Sequence, residues 1–208
     1  SSMLFYHKKM RKIKNIILVS LITLICGYSG LNADTSILEV DPTKSYIKFT
    51  ARHLIGGKVE GEFLAYSAIA KLKNSSTIER IEVMIDTNTI DTKHTIRDRH
   101  LRQPKFLDYK NHDYITFIAE GPISLTDTTI TGILSIKGVL KEVEVPITFN
   151  FLKSKISGQL VLSSKVENFI INRSDYKVGG LSFLIRDKII INIELINRVY
   201  VKIENNVK

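Results

Sequence analysis

The sequence predicts an all-β protein: roughly eight antiparallel strands, enough to close into a barrel, with a short helical insert near residues 91–113. Three observations predict it. Downstream of residue 33 the dominant hydrophobic period is two, the mark of half-buried strands. Turn signals punctuate that pattern at Gly56-Gly57, Asn74-Ser75-Ser76, Gly121-Pro122, Gly138, Ser157-Gly158 and Gly179-Gly180. One charge-dense stretch breaks the alternation.

Residues 1–33 read as a secretory signal peptide, with residues 1–9 as an upstream extension and Met10 as the start. Arg11, Lys12 and Lys14 form a positive n-region. Ile16 to Cys26 is an apolar run, too short for a membrane span of about 20 residues but suited to a signal h-region. Cleavage after Ala33 is the preferred reading, with Ser29 second. Lipidation at Cys26 is disfavoured because Ile25, not a small residue, precedes it. An export signal of this kind predicts a protein secreted across the inner membrane.

The strands follow in order. Ile47, Phe49 and Ala51 alternate with Tyr46, Lys48 and Thr50. Val59, Gly61, Phe63 and Ala65 alternate with Glu60, Glu62, Leu64 and Tyr66. Ile81, Val83 and Ile85 alternate with Glu82, Met84 and Asp86. Val143, Val145, Ile147, Phe149 and Phe151 form one long alternating run, and Ile189, Ile191 and Ile193 close the series. β-branched and aromatic residues dominate these positions, as a pleated, half-buried surface favours. No repeat or Pro/Ser linker divides the chain, so residues 34–195 read as one domain and 196–208 as a C-terminal tail.

Residues 91–113 lack alternation, and Ile96, Leu101 and Phe106 are among their few large apolar side chains. One or two short helices fit there, with Pro104 ending the first. His94, His100 and His112 lie in this insert.

Composition excludes several classes. Hydrophobic residues at 44% and charged residues at 25% are those of a folded domain, not a disordered or collagen-like chain. One Cys excludes a disulfide scaffold and a Cys-based zinc site. The net charge of +9 overstates the domain's basicity, because Lys8, Lys9, Arg11, Lys12 and Lys14 lie in the leader, which holds no acid. Nucleic-acid binding is therefore not expected. The chain holds no Gly-x-Ser-x-Gly, phosphate-binding Gly-rich loop or metalloprotease motif. His94 and His100 with Asp91 or Asp98 match no strong metal motif. No catalytic residue, cofactor or metal is assigned.

Several blocks, in order, resemble the YceI-like polyisoprenoid-binding proteins. They are Asp41-Pro42-Thr43-Lys44-Ser45-Tyr46 running to His53, then Gly61-Glu62-Phe63. Ile90-Asp91-Thr92, Arg97-Asp98-Arg99-His100-Leu101 and Phe106-Leu107-Asp108 follow. Thr131 to Val139 with Lys141-Glu142-Val143 comes next, then Ile171-Asn172-Arg173-Ser174-Asp175-Tyr176 and Ile185-Arg186-Asp187-Lys188-Ile189. The resemblance covers about Asp41 to Leu195. The family usually has an acid before the late Arg and Gly after the late aromatic; here Asn172 and Lys177 stand there.

The resemblance implies a lipocalin-like barrel with a long apolar cavity, secreted or periplasmic. It also implies binding of an isoprenoid or other long-chain amphiphile, with no established enzymatic activity for most members. Phe49, Phe63, Phe117, Ile147, Phe149 and Phe151 are the candidate lumen-lining residues; the alternative is that they fill a solid core. His53, Arg97, Asp98, His100 and Arg173 are candidates for the mouth, where an anionic head group would be held. Against that, Asp98 capping a helix end and pairing with Arg97 would pin the insert to the barrel. Two other functions stay open: a stress or interaction module with a packed lumen, or an enzyme using Asp98, His100 and Arg173 on a lipid-like substrate. Transient membrane contact and a homodimer complete the partners considered.

Overall fold

The computed structural model describes residues 36–153, 160–179 and 184–198. The leader at 1–33, with Cys26 and both cleavage candidates, lies outside the described residues, as do Ser157-Gly158, Gly180 and tail residues 199–208.

Among the described residues there are twelve strands and one α-helix. In chain order they are β1 (Ser36–Glu39), β2 (Tyr46–His53), β3 (Lys58–Phe63), β4 (Tyr66–Asn74), β5 (Thr77–Asp86), β6 (Ile90–Asp91), α1 (Thr95–Leu101), β7 (Tyr114–Ser124), β8 (Thr129–Ile136), β9 (Val139–Pro146), β10 (Thr148–Lys153), β11 (Leu160–Asn172) and β12 (Ile185–Ile196). Short 3-10 helices occupy Thr87–Thr89 and Arg173–Tyr176. Two antiparallel sheets result, ordered β1-β4-β5-β7-β8-β9 and β10-β11-β12-β2-β3-β6.

The eight-stranded closed barrel is corrected on both counts: neither sheet closes on itself, and the strands number twelve. The reason lies in corners that an alternating pattern does not reveal. The run from Val59 to Tyr66 turns at Leu64-Ala65, so β3 belongs to one sheet and β4 to the other. The run from Val143 to Phe151 turns at Ile147, between β9 and β10. Pro146 can donate no ladder hydrogen bond, and Ile147 N donates to Thr128 O at 2.9 Å as the chain leaves β9. The 3-10 turn at Thr87–Thr89 makes a third corner, between β5 and β6. A single bridge between Val40 and Asn197 joins the sheets again just past the expected domain end at residue 195.

Local chemistry sets the turns. Lys137 and Gly138, with φ of 51° and 74°, join β8 to β9 as a two-residue hairpin of the kind that right-handed strand twist favours. Asn168 (φ 53°) makes a bulge in β11, its N–H donating to Asn192 Oδ1 at 2.9 Å. That extra residue shifts the register between Val166 and Phe169. Pro104 stands three residues beyond α1, and the residue before a proline resists helix.

Two apolar clusters form the core. One holds Leu38, Leu72, Ile78, Ala119, Ile130 and Leu162. The other holds Ile47, Ile85, Ile90, Leu107, Ile115, Ile136 and Tyr176. Every described strand lies within Thr35–Lys208, which forms a compact unit of its own.

Candidate functional site

The inner faces of both sheets line a cavity of about 510 Å³. Ile81, Val83, Ile115, Phe117 and Leu134 come from the first sheet; Ile47, Phe49, Phe63, Val166, Phe169 and Ile191 from the second. The polar or ionisable lining residues are Lys48, His100, Lys105, Ser164, Arg173, Tyr176 and Asn197 among the described residues. The chamber is thus overwhelmingly apolar, with most of its polar groups on the α1 segment and the loop after β11.

Five sequence-predicted positions line it: Phe49, Phe63, Phe117, Ile147 and Phe149. Phe151 does not. It lies two residues further along β10, opposite Leu162 of the first core cluster, and is 39% exposed. Leu162, Leu38, Leu72 and Ala119 of that cluster do not line the cavity, so the alternating face outruns it.

Two glycines let the aromatic rings lie flat. Gly61 stands directly opposite Phe49, and a Cβ there would collide with the Phe49 ring and lie 2.9 Å from Thr92 Cγ2. A Cβ at Gly132 would lie 2.6 Å from Phe117 Cζ. The Phe49 and Phe63 rings pack tilted at 47°, centroids 5.8 Å apart, an arrangement that aromatic quadrupoles favour.

The mouth candidates separate into two sets. His100 and Arg173 line the cavity, whereas His53, Arg97 and Asp98 do not. Asp98 is buried on the inner side of α1, where its Oδ1 accepts from Thr92 N at 2.9 Å and also from Thr92 Oγ1. Arg97 Nε donates to the same Thr92 Oγ1 at 2.7 Å, and its Nη2 to Thr92 O at 2.8 Å. Arg97 and Asp98 therefore meet through Thr92 rather than as an ion pair. Asp98 is not the helix cap; His94 is, its Nδ1 accepting from Arg97 N at 3.3 Å. His53 ends β2, with its N–H on Gly57 O at 3.1 Å and Ile185 opposite.

Arg173 is held by backbone. Its guanidinium donates to Val178 O at 3.1 Å, Ile185 O at 3.2 Å and Arg186 O at 3.4 Å. It braces the loop after β11 onto β12. The two departures in this loop are absorbed locally. Asn172 Nδ2 donates to Asp175 Oδ2 at 3.3 Å, and Lys177 takes φ 54°, the left-handed conformation a glycine would favour. Asp187 accepts from Ser174 N and Oγ at 2.9 and 2.6 Å, and these bonds hold its carboxyl below the usual carboxylate range. Tyr176 is buried, and burial, then the nearby Asp175 charge, push its phenol up.

Sequence reasoning missed two residues here. Lys105 lines the mouth, and its carbonyl accepts from Gly179 N at 3.0 Å, linking the insert to the late loop. Arg102 clamps the insert through Asn88 O at 2.8 Å and Ile90 O at 3.0 Å. Both sit in a stretch dense in charge, where no periodicity distinguishes one cation from the next.

Two antiparallel sheets around an internal apolar chamber, with a charged insert at its mouth, define a β protein built about an internal site. The YceI-like domain model matches residues 38–196, and the chain belongs to that family. A UPF0312 protein of Staphylococcus aureus strain MRSA252 is 30% identical over 142 residues, 67% of this chain and 80% of that protein. The crystal structure of the Campylobacter jejuni YCEI protein is 28% identical, with a TM-score of 0.60 over 71% of this chain and 90% of that one. A polyisoprenoid binding domain from Saccharophagus degradans, implicated in plant cell wall breakdown, shares the fold at 14% identity, with a TM-score of 0.62 over 79% of this chain and 98% of that one.

Proposed function

We propose that the chain is a periplasmic carrier that binds a single long-chain isoprenoid or other amphiphilic lipid in its cavity. One observation carries this: side chains from both sheets leave an apolar chamber of about 510 Å³ between two packed clusters. A packed-lumen interaction module has no use for such a space. Close-packed interiors leave few voids larger than a water, and pockets of this size are typical of small-molecule sites.

The volume bounds the ligand. A methylene takes roughly the room of a water, about 30 Å³, so the cavity holds on the order of fifteen carbons. That is about three isoprene units or one palmitoyl-length tail. At about 0.8 kcal/mol per buried methylene the gross gain is about 12 kcal/mol, enough for tight binding after association costs of several kcal/mol. A polar end would then lie near His100 and Lys105, the exposed ionisable residues at the mouth.

The family, and the fold shared with a polyisoprenoid binding domain, support this ligand class. The apolar-cored leader supports export. A binding role rather than an enzymatic one is supported by Asp98 and Arg173, two of the three acid–base candidates, being engaged by Thr92 and by backbone carbonyls, which leaves His100 alone of the three facing the cavity without them.

Gentle extraction of the purified protein followed by lipid mass spectrometry tests the reading. One prenyl or acyl species at near-equal stoichiometry is expected. Nothing bound, with added prenyl and acyl lipids also refused, overturns it.

A further inference from the structure

The turn between β2 and β3 is Leu54-Ile55-Gly56-Gly57. Its glycines supply the positive φ, 69° and 81°, that the turn needs. The two preceding positions are free to be polar, as turn positions usually are, yet they carry large apolar side chains. Ile55 is 94% exposed and Leu54 43%. Leu184, 45% exposed, stands beside them, its carbonyl accepting from Leu54 N at 3.1 Å. A single exposed leucine needs no explanation, but three grouped at one tip do.

This tip adjoins the cavity. Leu184 is itself a lining residue, as is Ile185, whose strand partner is His53 at the base of the turn. Arg173, which braces Ile185, also lines the mouth.

The charge around the tip is mostly positive. Arg52, Lys177, Arg186 and Lys188 are exposed, and their side chains have no hydrogen-bond or ion-pair partner among the described residues. Of the neighbouring acids, Asp175 and Glu60 are matched by lysines, and Asp187 alone keeps an unmatched negative charge. Asp187 accepts from Ser174, Asp175 pairs with Lys141 at 3.3 Å, and Glu60 pairs with Lys58 at 2.7 Å.

An apolar tip flanked by unpaired cations matches the interface of an anionic bilayer. The apolar side chains enter the acyl boundary while the cations meet phosphates. A second copy of the chain on this tip would set the same cations against each other. We propose that Leu54, Ile55 and Leu184 form a docking surface for an anionic lipid bilayer at the cavity mouth. The proposal rests on the carrier reading in one respect: the ligand comes from a membrane. A lipid tail entering beside Leu184 passes from bilayer to cavity with little exposure to water.

Vesicle flotation of residues 35–208 tests the docking. The protein floats with phosphatidylglycerol/phosphatidylethanolamine vesicles and not with phosphatidylcholine alone. Binding falls at least tenfold in Leu54→Ser/Ile55→Ser and is weakened by salt, while Leu152→Ser on β10 leaves it unchanged. The chain has no Trp, so Ile55→Trp is a single reporter that keeps the tip apolar. Its emission shifts to the blue on anionic vesicles and is quenched by brominated acyl chains. Failure of the wild type to float, serine variants that float like it, or an Ile55→Trp emission unchanged on vesicles each overturns the proposal. So does a serine variant that loses self-association but keeps vesicle binding, which would assign the tip to contact between copies. Prenyl uptake in vesicle-free solution reads the carrier role separately. Docking without uptake sinks the carrier reading and leaves docking standing; uptake without docking does the reverse.

Discussion

The ring of Phe49 lies across Gly61, the residue directly opposite it on the neighbouring strand. The glycine has no side chain there because the aromatic occupies its place, with the Thr92 methyl close by. Gly61→Ala forces the ring and Thr92 apart, and Thr92 is the residue that gathers Arg97 and Asp98. The expected cost is about 1–3 kcal/mol, the usual range for overpacking. Urea unfolding measures it; an unchanged midpoint would show that the ring moves freely into the cavity.

Chain length discriminates a bounded chamber from an open groove. Affinity for a series of prenyl alcohols or fatty acids is expected to rise with each methylene up to on the order of fifteen carbons and then level off. Val83 lines the cavity, and Val83→Phe fills part of it. That variant shortens the plateau by about two carbons while leaving short ligands nearly unaffected. Competition against a fluorescent acyl probe reads both. A wild-type series that keeps rising past twenty or so carbons would disprove the volume limit.

Arg173 makes three bonds to carbonyls on two segments, and lysine cannot reproduce that fork. Arg173→Lys and Arg173→Ala should each cost about 1–3 kcal/mol, since charge-assisted bonds to carbonyls, two of them part-buried, are lost. Both should also speed ligand release several-fold, because the loop they loosen borders the cavity. Thermal melts and stopped-flow displacement test the two effects separately. Unchanged release from a destabilised variant would restrict Arg173 to a purely structural part.

The bond from Ser174 to Asp187 gives the late loop an acid-sensitive fastening. Asp187 is held below its ordinary value of 3.8, so its folded pKa lies under its unfolded one. Such a group stabilises the fold fully above the unfolded value, and the contribution is lost as pH falls through the folded value. The wild type should therefore be more stable than Asp187→Asn at neutral pH, with the gap closing below about pH 3.8. Melting curves from neutral to acidic pH reveal the convergence. A gap that persists at the acid end would mean the carboxylate's charge is irrelevant.

How much of this was legible depended on whether chain and sheet followed one straight path. Ile47, Phe49 and Ala51 face inward at every second position because β2 stays in a single sheet, so period two displayed it. Phe63 and Tyr66 continue one alternation across a corner, and pattern alone merged two strands into one. Val166 and Phe169 both face the cavity though three residues apart, because the Asn168 bulge resets the register. No simple period contains such a pair. The mouth was half legible for a related reason. The charged blocks marked the segments that form it, but which cation faces the cavity is decided by tertiary hydrogen bonds. Arg97 turned to Thr92 and Arg102 to the backbone of the 3-10 turn and β6, while His100 and Lys105 remained at the rim.

The chamber also governs how the protein answers compression. A space of about 510 Å³ per molecule is roughly 300 mL per mole, several times the volume change of about 20–100 mL/mol usual for unfolding. Unfolding gives up the part of that space that water does not already fill, so pressure opposes this fold more strongly than it opposes a solid β-sandwich of equal size. An acyl or prenyl tail in the chamber removes most of the difference. Loading therefore sets how hard the protein must be squeezed before its two sheets part.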